Sequence, residues 1–428
     1  MKNKKESLIK VDKENKQGKK KISGNVKFII VAVVLISIFC VALTPVTLQN
    51  DTFYTIKVGE HIAKQGIDMQ DPFSWHQDLS YTYPHWLYDY ITYLVYNTFG
   101  MTGIYICTCI LSVILGLTVF LVNKKLIKNN VFSFLITIGV MYLIRGYIAA
   151  RAQLVTFILL VLTVYFIEKF LEGRKIRYAI GLIIIPILIA NMHVAVFPFY
   201  FVLYLPYIAE YIIACLADVI IYRKAKVKIL KLKIKINENK NNLEKVEKLK
   251  KELVELNENV DKVKIKRTKE LQNPYKIKLT KRDNTKYLII IMVICLFTGL
   301  LTPIGTTPYT YLIKTMEGNT TQNINEHLPI TLSENNEVLC TLILFLGIII
   351  FTKVKIRLCD LFMVGGLCYL MLTSRRQVTL FAIIGSLVLN RFMVQLTGIY
   401  TKEKIEQAEE KIMNLVRNSS NNCNNVRI

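Results

Sequence analysis

The apolar residues of this chain are gathered into long runs without a charged side chain, such as 28–43, 104–122 and 154–166. Soluble globular domains hold a similar apolar fraction, here 53%, but they spread it at helical or strand period. Uncharged runs that approach about 20 residues instead predict helices that cross a bilayer. The expected fold class is therefore all-α, in a polytopic membrane protein surrounded by lipid.

About ten transmembrane helices are predicted when uncharged runs are counted against the length that a bilayer requires. An even number returns the C-terminus to the side of the N-terminus, taken here as the cytoplasm. The chain then consists of a basic tail at 1–26, membrane parts at 27–222 and 287–400, a cytoplasmic insert at 223–286 and a tail at 401–428. The predicted spans are 27–46, 101–123, 131–148, 153–171, 178–192, 195–221, 287–303, 338–353, 358–373 and 378–397.

Basic residues are concentrated where this topology places the cytoplasm. The chain holds 55 Lys and Arg against 31 Asp and Glu, for a net charge of +24. Residues 1–27 contain ten Lys and three acidic residues, and residues 223–286 contain 22 basic and nine acidic residues. Such clustering beside spans follows the positive-inside rule, whereas a nucleic-acid binder places its charge on a folded basic face. The sequence therefore predicts a multi-pass plasma-membrane protein with cytoplasmic termini and no nucleic-acid partner.

The insert at 223–286 contains a seam of apolar residues at alternating three- and four-residue spacing, which predicts a short coiled coil. On either side, over 231–236 and 262–266, Lys alternates with apolar residues at strand period. The insert is interpreted either as a docking segment or patch for anionic lipid headgroups, or as a solvated insertion. The seam residues are Val246, Leu249, Leu253, Leu256 and Val260.

Two long loops, 47–100 and 304–337, fall on the outer side of the membrane in this topology. Aromatic residues at helical spacing in the second half of the first loop predict a helix in the membrane interface. Every histidine of the chain also lies on the outer side or at its membrane boundary. A site that handles protons and polar ligands is therefore expected at the outer face. The histidines are His61, His76, His85, His193 and His327.

Asp51 lies a few residues beyond the outer end of the first predicted span. A carboxylate there can lie in a cavity between the outer loop and the helices, where partial desolvation adjusts its pKa for general-base catalysis. Alternatively, Asp51 is the N-cap of a helix that begins at Thr52 and continues through Glu60. The residue pattern alone leaves both interpretations open.

Four arginines lie at the outer ends of predicted spans, where the positive-inside rule disfavours them. They are Arg145, Arg151, Arg375 and Arg376. Guanidinium groups bind phosphates through two parallel hydrogen bonds, so a cluster of them suits a phosphate or diphosphate head group. The alternative is that they extend toward lipid phosphates at the membrane surface.

Asn191 and His193 interrupt two apolar runs at the outer boundary. Their polar side chains either contribute to the expected site or form structural hydrogen bonds. The histidines show no metal-ligand spacing, so no cofactor is predicted and a divalent metal is unsupported. No phosphate-binding glycine loop, nucleophile elbow or dinucleotide fingerprint occurs.

A series of short segments runs in order through residues 50–400, outside the insert. The first outer loop supplies Asp51-Thr52-Phe53-Tyr54, Val58-Gly59-Glu60-His61-Ile62, Gly66-Ile67, Asp71-Pro72-Phe73-Ser74-Trp75 and Pro84-His85-Trp86-Leu87-Tyr88-Asp89. Later parts supply Arg151-Ala152-Gln153-Leu154-Val155-Thr156-Phe157, Ala190-Asn191-Met192-His193, Thr302-Pro303-Ile304-Gly305, Asn325-Glu326-His327-Leu328-Pro329 and Ser374-Arg375-Arg376-Gln377. This series resembles a bacterial family of polytopic membrane proteins in the GT-C glycosyltransferase superfamily, relatives of protein O-mannosyltransferases and lipid A aminoarabinose transferases.

The resemblance implies an enzyme that moves a sugar from a polyprenyl-phosphate or polyprenyl-diphosphate carrier to a cell-envelope acceptor at the outer leaflet, by inverting displacement. In that superfamily an acidic residue just past the first helix deprotonates the acceptor, and Asp51 occupies that position. Glu60 and His85 would orient the acceptor or the base. The predicted substrate-binding residues are Arg151, Arg375 and Arg376 for phosphate, and Asn191, His193 and Glu326 for the sugar.

Two other classes of function stay open. A polymerase or ligase of lipid-linked glycans would use the same carrier with a growing glycan as acceptor. A transporter, flippase or envelope scaffold would carry out no catalysis. Transporters are expected to show internal repeats or polar residues near the bilayer midplane, whereas here the polar residues gather at the outer boundary, which favours an enzyme.

Overall fold

The part of the chain that the structure describes folds mainly into α-helices, which confirms the all-α class. A computed structural model describes residues 23–76, 78–238, 243–244, 246–254, 276–317 and 324–424. In chain order the helices are α1 (Gly24–Leu43), α2 (Asn50–Gln65), α3 (Trp86–Ile127), α4 (Asn130–Leu143), α5 (Gln153–Gly173), α6 (Ile176–Met192), α7 (Phe197–Val202), α8 (Leu205–Glu238), α9 (Thr285–Leu296), α10 (Thr307–Glu317), α11 (Asn336–Phe351), α12 (Leu358–Thr373) and α13 (Val378–Asn424). Near the end of the insert, β1 (Ile277–Lys278) pairs in parallel with β2 (Ile356–Arg357).

Within the described residues, five helices are long and apolar enough to cross a membrane, judged by length and composition. They cover Gly24–Leu43, Trp86–Ile127, Gln153–Gly173, Val194–Ile220 and Arg375–Lys402. Shorter apolar helices cover Asn130–Leu143, Ile176–Met192, Thr285–Leu300, Asn336–Phe351 and Leu358–Thr373. Each of the predicted spans overlaps one of these helices. The apolar helices indicate a protein that associates with a lipid bilayer.

The bundle is centred on α5 and the apolar part of α13. In the most apolar stretch of each, 67% and 72% of the residues are buried, against 17% in α1. Leu154 and Ile167 of α5 share one continuous core with Phe381 and Phe392 of α13. α1 buries one side, for example at Ile36, and exposes the other. It therefore lies at the edge of the bundle, where an apolar helix can face lipid.

Buried polar side chains join α3, α4 and α13. Asn390 Nδ2 donates hydrogen bonds to Asn123 Oδ1 and Ser133 Oγ, each at 3.0 Å. Asn123 Nδ2 donates to Ser386 Oγ at 3.3 Å. In apolar surroundings these hydrogen bonds hold the three helices in one register.

The first outer loop contains the helix predicted from 52 to 60, as part of α2. Gln49 is the N-cap of α2, and Asp51 lies inside its first turn. The N-cap interpretation of Asp51 is therefore wrong: the helix begins earlier, because Thr52 N already donates to Gln49 O at 3.0 Å. The interfacial helix predicted after residue 85 forms the start of α3, which kinks at Gly100 with φ +61°.

Gly59 allows α2 to approach α3 closely. A Cβ atom at this position would lie 2.1 Å from the backbone oxygen of Asp89 and 2.7 Å from Tyr93 Cβ. Gly59→Ala is expected to lower the free energy of unfolding by about 1–3 kcal/mol, because the contacting backbone cannot move aside as a flexible side chain would. Thermal unfolding in detergent measures this loss against Gly139→Ala, since the added methyl at Gly139 meets open space. Equal unfolding temperatures for the two variants would contradict the prediction.

The start of the insert continues a membrane helix. α8 extends to Glu238, so residues 231–236 are helical although their Lys and apolar residues alternate at strand period. The alternation does not interrupt the helix, because adding a turn to a formed helix costs far less than starting a new element.

Part of the predicted coiled-coil seam is helical, at Val246, Leu249 and Leu253. The other predictions for this part of the chain and for the N-terminal tail concern residues outside the described ranges. These are Leu256, Val260, the alternation over 262–266 and residues 1–22.

Candidate functional site

A polar cavity of about 570 Å³ lies among the ends of α2, α3 and α5 and two 3₁₀ turns, Asn325–His327 and Arg375–Gln377. Its wall consists mainly of charged and hydrogen-bonding side chains. The cavity brings together six of the residues predicted for the site, which are distant in sequence. They are Asp51, His85, Arg151, His193, Glu326 and Arg376.

An apolar groove of about 690 Å³ adjoins the polar cavity. The two spaces share six residues in their walls, which are His85, Gln153, His193, Ile324, His327 and Arg376. Beyond these shared residues the groove is lined mainly by apolar side chains of α5, α7, α10, α12 and α13, with polar side chains such as Thr315, Ser374 and Gln377 among them. Representative apolar ones are Phe157, Leu160, Phe199, Leu312, Leu370 and Leu380.

The polar residues of the cavity stand at breaks between helices. His193 ends α6 with φ −162° and ψ 83°, and the next amide, Val194 N, donates to Pro84 O at 2.9 Å. This bond joins the break to the first outer loop. In the same way Arg375 N donates to Leu328 O at 3.0 Å and joins the turn before α13 to the loop that carries Glu326. Helix ends leave backbone groups unpaired, and here they are satisfied by neighbouring loops.

Arg151 joins two carboxylates at the cavity. Its Nη2 lies 2.5 Å from Asp51 Oδ2, and its Nη1 lies 3.1 Å from Glu326 Oε1. The buried Nε of Arg151 has no hydrogen-bond partner in the described part of the chain. One guanidinium therefore faces two negative charges and keeps a donor available for a further acceptor.

Arg376 lines both the polar cavity and the groove. The Gln153 amide oxygen, in the orientation that satisfies both groups, accepts from Arg376 Nε at 2.9 Å and from Nη2. Arg376 forms no ion pair with a carboxylate of the described residues, in contrast to Arg151. A full positive charge held by a neutral amide can accept an anionic ligand without first losing a protein partner.

Two histidines of the cavity are held neutral. His193 is buried, and burial together with the nearby His85 and Arg376 keeps the pKa of His193 well below its usual range. Its Nδ1 lies 3.3 Å from Thr156 Oγ1. Burial and the charge of Arg376 also lower the pKa of His327. Near neutral pH each ring can donate one hydrogen bond and accept another.

Glu60 lies outside both spaces. It accepts hydrogen bonds from Lys57 Nζ at 2.8 Å and Lys64 Nζ at 2.7 Å, on the exposed side of α2. These two lysines lower the pKa of Glu60 to about 2. The structure thus places this predicted residue in a surface ion-pair group.

Asn191 and Arg375 are also absent from the walls of the cavity and the groove. Asn191 Oδ1 accepts from Trp86 Nε1 at 3.1 Å, and its Nδ2 donates to the backbone oxygens of Ile187 and Leu301. Arg375 Nε donates to Pro329 O at 3.4 Å. Both side chains join loops next to the cavity. Of the adjacent arginines before α13, Arg376 alone therefore meets the cavity.

The cavity also contains residues to which the sequence assigned no role. Gln153 and His327 belong to short segments of the series described in the sequence analysis. Membership in that series could have indicated that both residues belong to the site. Thr55 lies about one helical turn after Asp51, and Tyr88 lies about one turn after His85. Only the packed structure shows that these residues line the same cavity.

No group of three or more His, Cys, Asp or Glu side chains that could hold a metal ion occurs among the described residues. Comparison of the chain with protein-family models and with curated proteins finds no match.

Proposed function

We propose that this chain is a membrane glycosyltransferase that moves a sugar from a polyprenyl-phosphate or polyprenyl-diphosphate carrier to a cell-envelope acceptor at the outer face of the plasma membrane. The proposal includes a GT-C-like arrangement of about ten transmembrane helices with cytoplasmic termini. The observation that carries it is the position of Arg376, a cation without a carboxylate partner in the described ranges, where the polar cavity meets the apolar groove.

A polar cavity joined to an apolar groove suits a ligand with a charged head and an apolar tail. Each space falls within the range of about 300–1,000 Å³ that is usual for small-molecule sites. A phosphate placed at Arg376 and Arg151 would leave its prenyl chain beside Phe157 and Leu312. The sugar would lie in the polar cavity, next to Glu326 and His327.

The chemistry that this arrangement supports is displacement at the anomeric carbon of the sugar. The acceptor oxygen forms a bond to that carbon, and the bond from the carbon to the phosphate oxygen breaks. The phosphate leaves with the bonding electrons, and Arg376 and Arg151 stabilise the charge that develops. Asp51, the base implied by the resemblance, lies at the same cavity in its ion pair with Arg151.

Replacing Arg376 by Ala is expected to weaken carrier binding by about 10–100-fold, because charge-assisted hydrogen bonds to phosphate contribute about 1.5–3 kcal/mol. The measurement is a binding titration of the purified protein with short-chain polyprenyl-phosphate sugars, followed by assay of sugar transfer to envelope acceptors.

Arg375→Ala is the matched control, since it removes the same charge from the neighbouring position outside the cavity. We expect it to change binding by no more than about twofold, as surface charges usually contribute little. Equal losses in both variants would show a general charge effect and contradict the assigned role of Arg376. A native protein that binds no carrier would overturn the proposed function.

A lipid-linked glycan polymerase or ligase is the closest alternative, because it would use the same two spaces. The acceptor in the transfer assay separates the two: a growing glycan indicates the polymerase or ligase, and a protein, lipid or monomeric acceptor indicates the transferase.

A further inference from the structure

Asp89 is a buried carboxylate one helical turn after His85, which lines the polar cavity. It lies in the first turn of α3, and only 1% of its surface is exposed. Its Oδ1 has no hydrogen-bond partner within the described residues. Burying a carboxylate away from water costs free energy unless a nearby group interacts with it. The position of Asp89 therefore calls for a partner.

The partner in the structure is His85. Its Nδ1 lies 3.8 Å from Asp89 Oδ2, and the two residues are one helical turn apart, with His85 as the N-cap of α3. The His85 ring lines both the polar cavity and the groove. Because Nδ1 faces Asp89, Nε2 is the ring nitrogen left for a ligand.

The packing around this pair holds it in place from two sides. Gly59 of α2 lies directly against the backbone of Asp89. The bond from Val194 N to Pro84 O fixes the residue before His85, and the rings of His85 and His193 lie 5.3 Å apart between centroids. A carboxylate at ion-pair distance behind a histidine stabilises the imidazolium that a general base becomes.

Asp51, by comparison, is already engaged. Its Oδ2 lies 2.5 Å from Arg151 Nη2. To take a proton at that oxygen, Asp51 would have to leave the arginine. His85 has no such competing partner on its Nε2 side within the described residues.

We propose that His85 is the catalytic base of the transfer reaction and that Asp89 is its positioning residue; this inference rests on the function proposed above. As the acceptor oxygen bonds to the anomeric carbon, its proton passes to His85 Nε2, and the phosphate leaves with the electrons of the broken bond. Asp89 stabilises the imidazolium that forms. His85 then releases the proton, either to the departing phosphate or to water, which returns the site to its starting state.

The test compares carrier binding and turnover in the full-length protein. His85→Ala is expected to keep carrier binding within a few-fold and to lose turnover by about 10²–10⁴-fold, the usual contribution of a general base. Added imidazole should restore part of the turnover, because it fills the space left by the side chain and accepts the proton. His76→Ala is the control, since His76 lies on the first outer loop outside both spaces.

Asp89→Asn tests the positioning role through non-additivity. Asp89→Asn should lower turnover in the native background. In the His85→Ala background it should cause little further loss, because Asp89 is proposed to act only through the imidazole ring of His85. A purely structural role would instead lower turnover in both backgrounds, which would contradict the assignment of Asp89.

Asp51→Asn distinguishes the two candidate bases. The proposal expects it to keep carrier binding and to retain turnover within about tenfold, because Arg151 stays available for the phosphate. Loss of turnover in Asp51→Asn, with no rescue of His85→Ala by imidazole, would overturn the proposal and assign the base to Asp51. Transfer by the native protein would still support the proposed function in that case. A native protein without transfer would overturn both.

Discussion

Glu168→Gln is expected to lower the free energy of unfolding by about 3–5 kcal/mol, the usual cost of leaving buried charges without their partner. Glu168 lies near the end of α5 and contacts three arginines. Its carboxylate is 2.6 Å from Arg357 Nη2, 3.0 Å from Arg282 Nη1 and 3.5 Å from Arg391 Nη2. Glutamine keeps the shape of the side chain and removes the charge. Arg357 and Arg391 would then share Asp360, and Arg282 would lose its ion pair with Glu168.

The matched control is Glu172→Gln, one turn further along the same helix. Glu172 forms an exposed pair with Lys169 at 2.7 Å, and such surface pairs contribute about 0–1 kcal/mol. The measurement is the unfolding midpoint of each purified variant in a denaturing-detergent titration. Similar midpoints for Glu168→Gln and Glu172→Gln would contradict the stabilising role of the buried cluster.

The same cluster bears on how the bundle can work. Glu168 lies about 22 Å along α5 from the cavity residue Gln153, at a helical rise of 1.5 Å per residue. Arg282 comes from the end of the insert, Arg357 from β2 and Arg391 from α13. Their pairing with α5 therefore joins distant parts of the chain at this end of the bundle. A transport path that ran along α5 to this end of the bundle would have to separate these ion pairs. This arrangement favours a site that opens at the other end over the transport alternative.

Helices could be predicted from the sequence because their signal is local. A long run of uncharged residues indicates by itself that the segment lies in apolar surroundings. Each predicted span overlaps an apolar helix of the structure. The interpretation of Asp51 as an N-cap was wrong, and its cause is also local. Asp51 lies inside α2 because the helix begins at Asn50, with Gln49 as its N-cap, although Asp is the stronger capping residue. Residues 231–236 are helical because α8 continues through them.

The site could be predicted only as a set of candidates. Arg375 and Arg376 are neighbours of the same chemistry, and only the direction of each side chain from the turn places Arg376 at the cavity and Arg375 against Pro329. Asp89 gave no signal of burial, since a carboxylate on an outer loop is expected to be solvated. Its burial depends on the approach of α2 at Gly59, which is a property of the packed fold.

Filling the apolar groove should remove the preference for a long carrier. Leu312 of α10 lines the groove, so Leu312→Trp places an indole where the prenyl chain is proposed to lie. The probes are prenyl phosphates of increasing length that stay monomeric in water. Water is the required starting phase, because moving a prenyl chain from lipid into an apolar groove would yield little binding free energy. The native protein should bind longer chains more tightly, at about 0.8 kcal/mol per buried methylene.

In Leu312→Trp the gain from one isoprene unit should be lost, which corresponds to about 10²–10³-fold in affinity for the longer probe. Binding of methyl phosphate, which has a head and no tail, should stay unchanged because Arg376 and Arg151 are intact.

Ile313→Trp is the control: its side chain is on the same helix, 60% exposed and outside the groove. Chain-length dependence that persists in Leu312→Trp would mean that the tail lies elsewhere, whereas loss of methyl phosphate binding as well would mean that the two spaces do not act separately. Selective loss of the long-chain gain would establish that head and tail are held by different parts of one site, which is what a lipid-linked sugar requires.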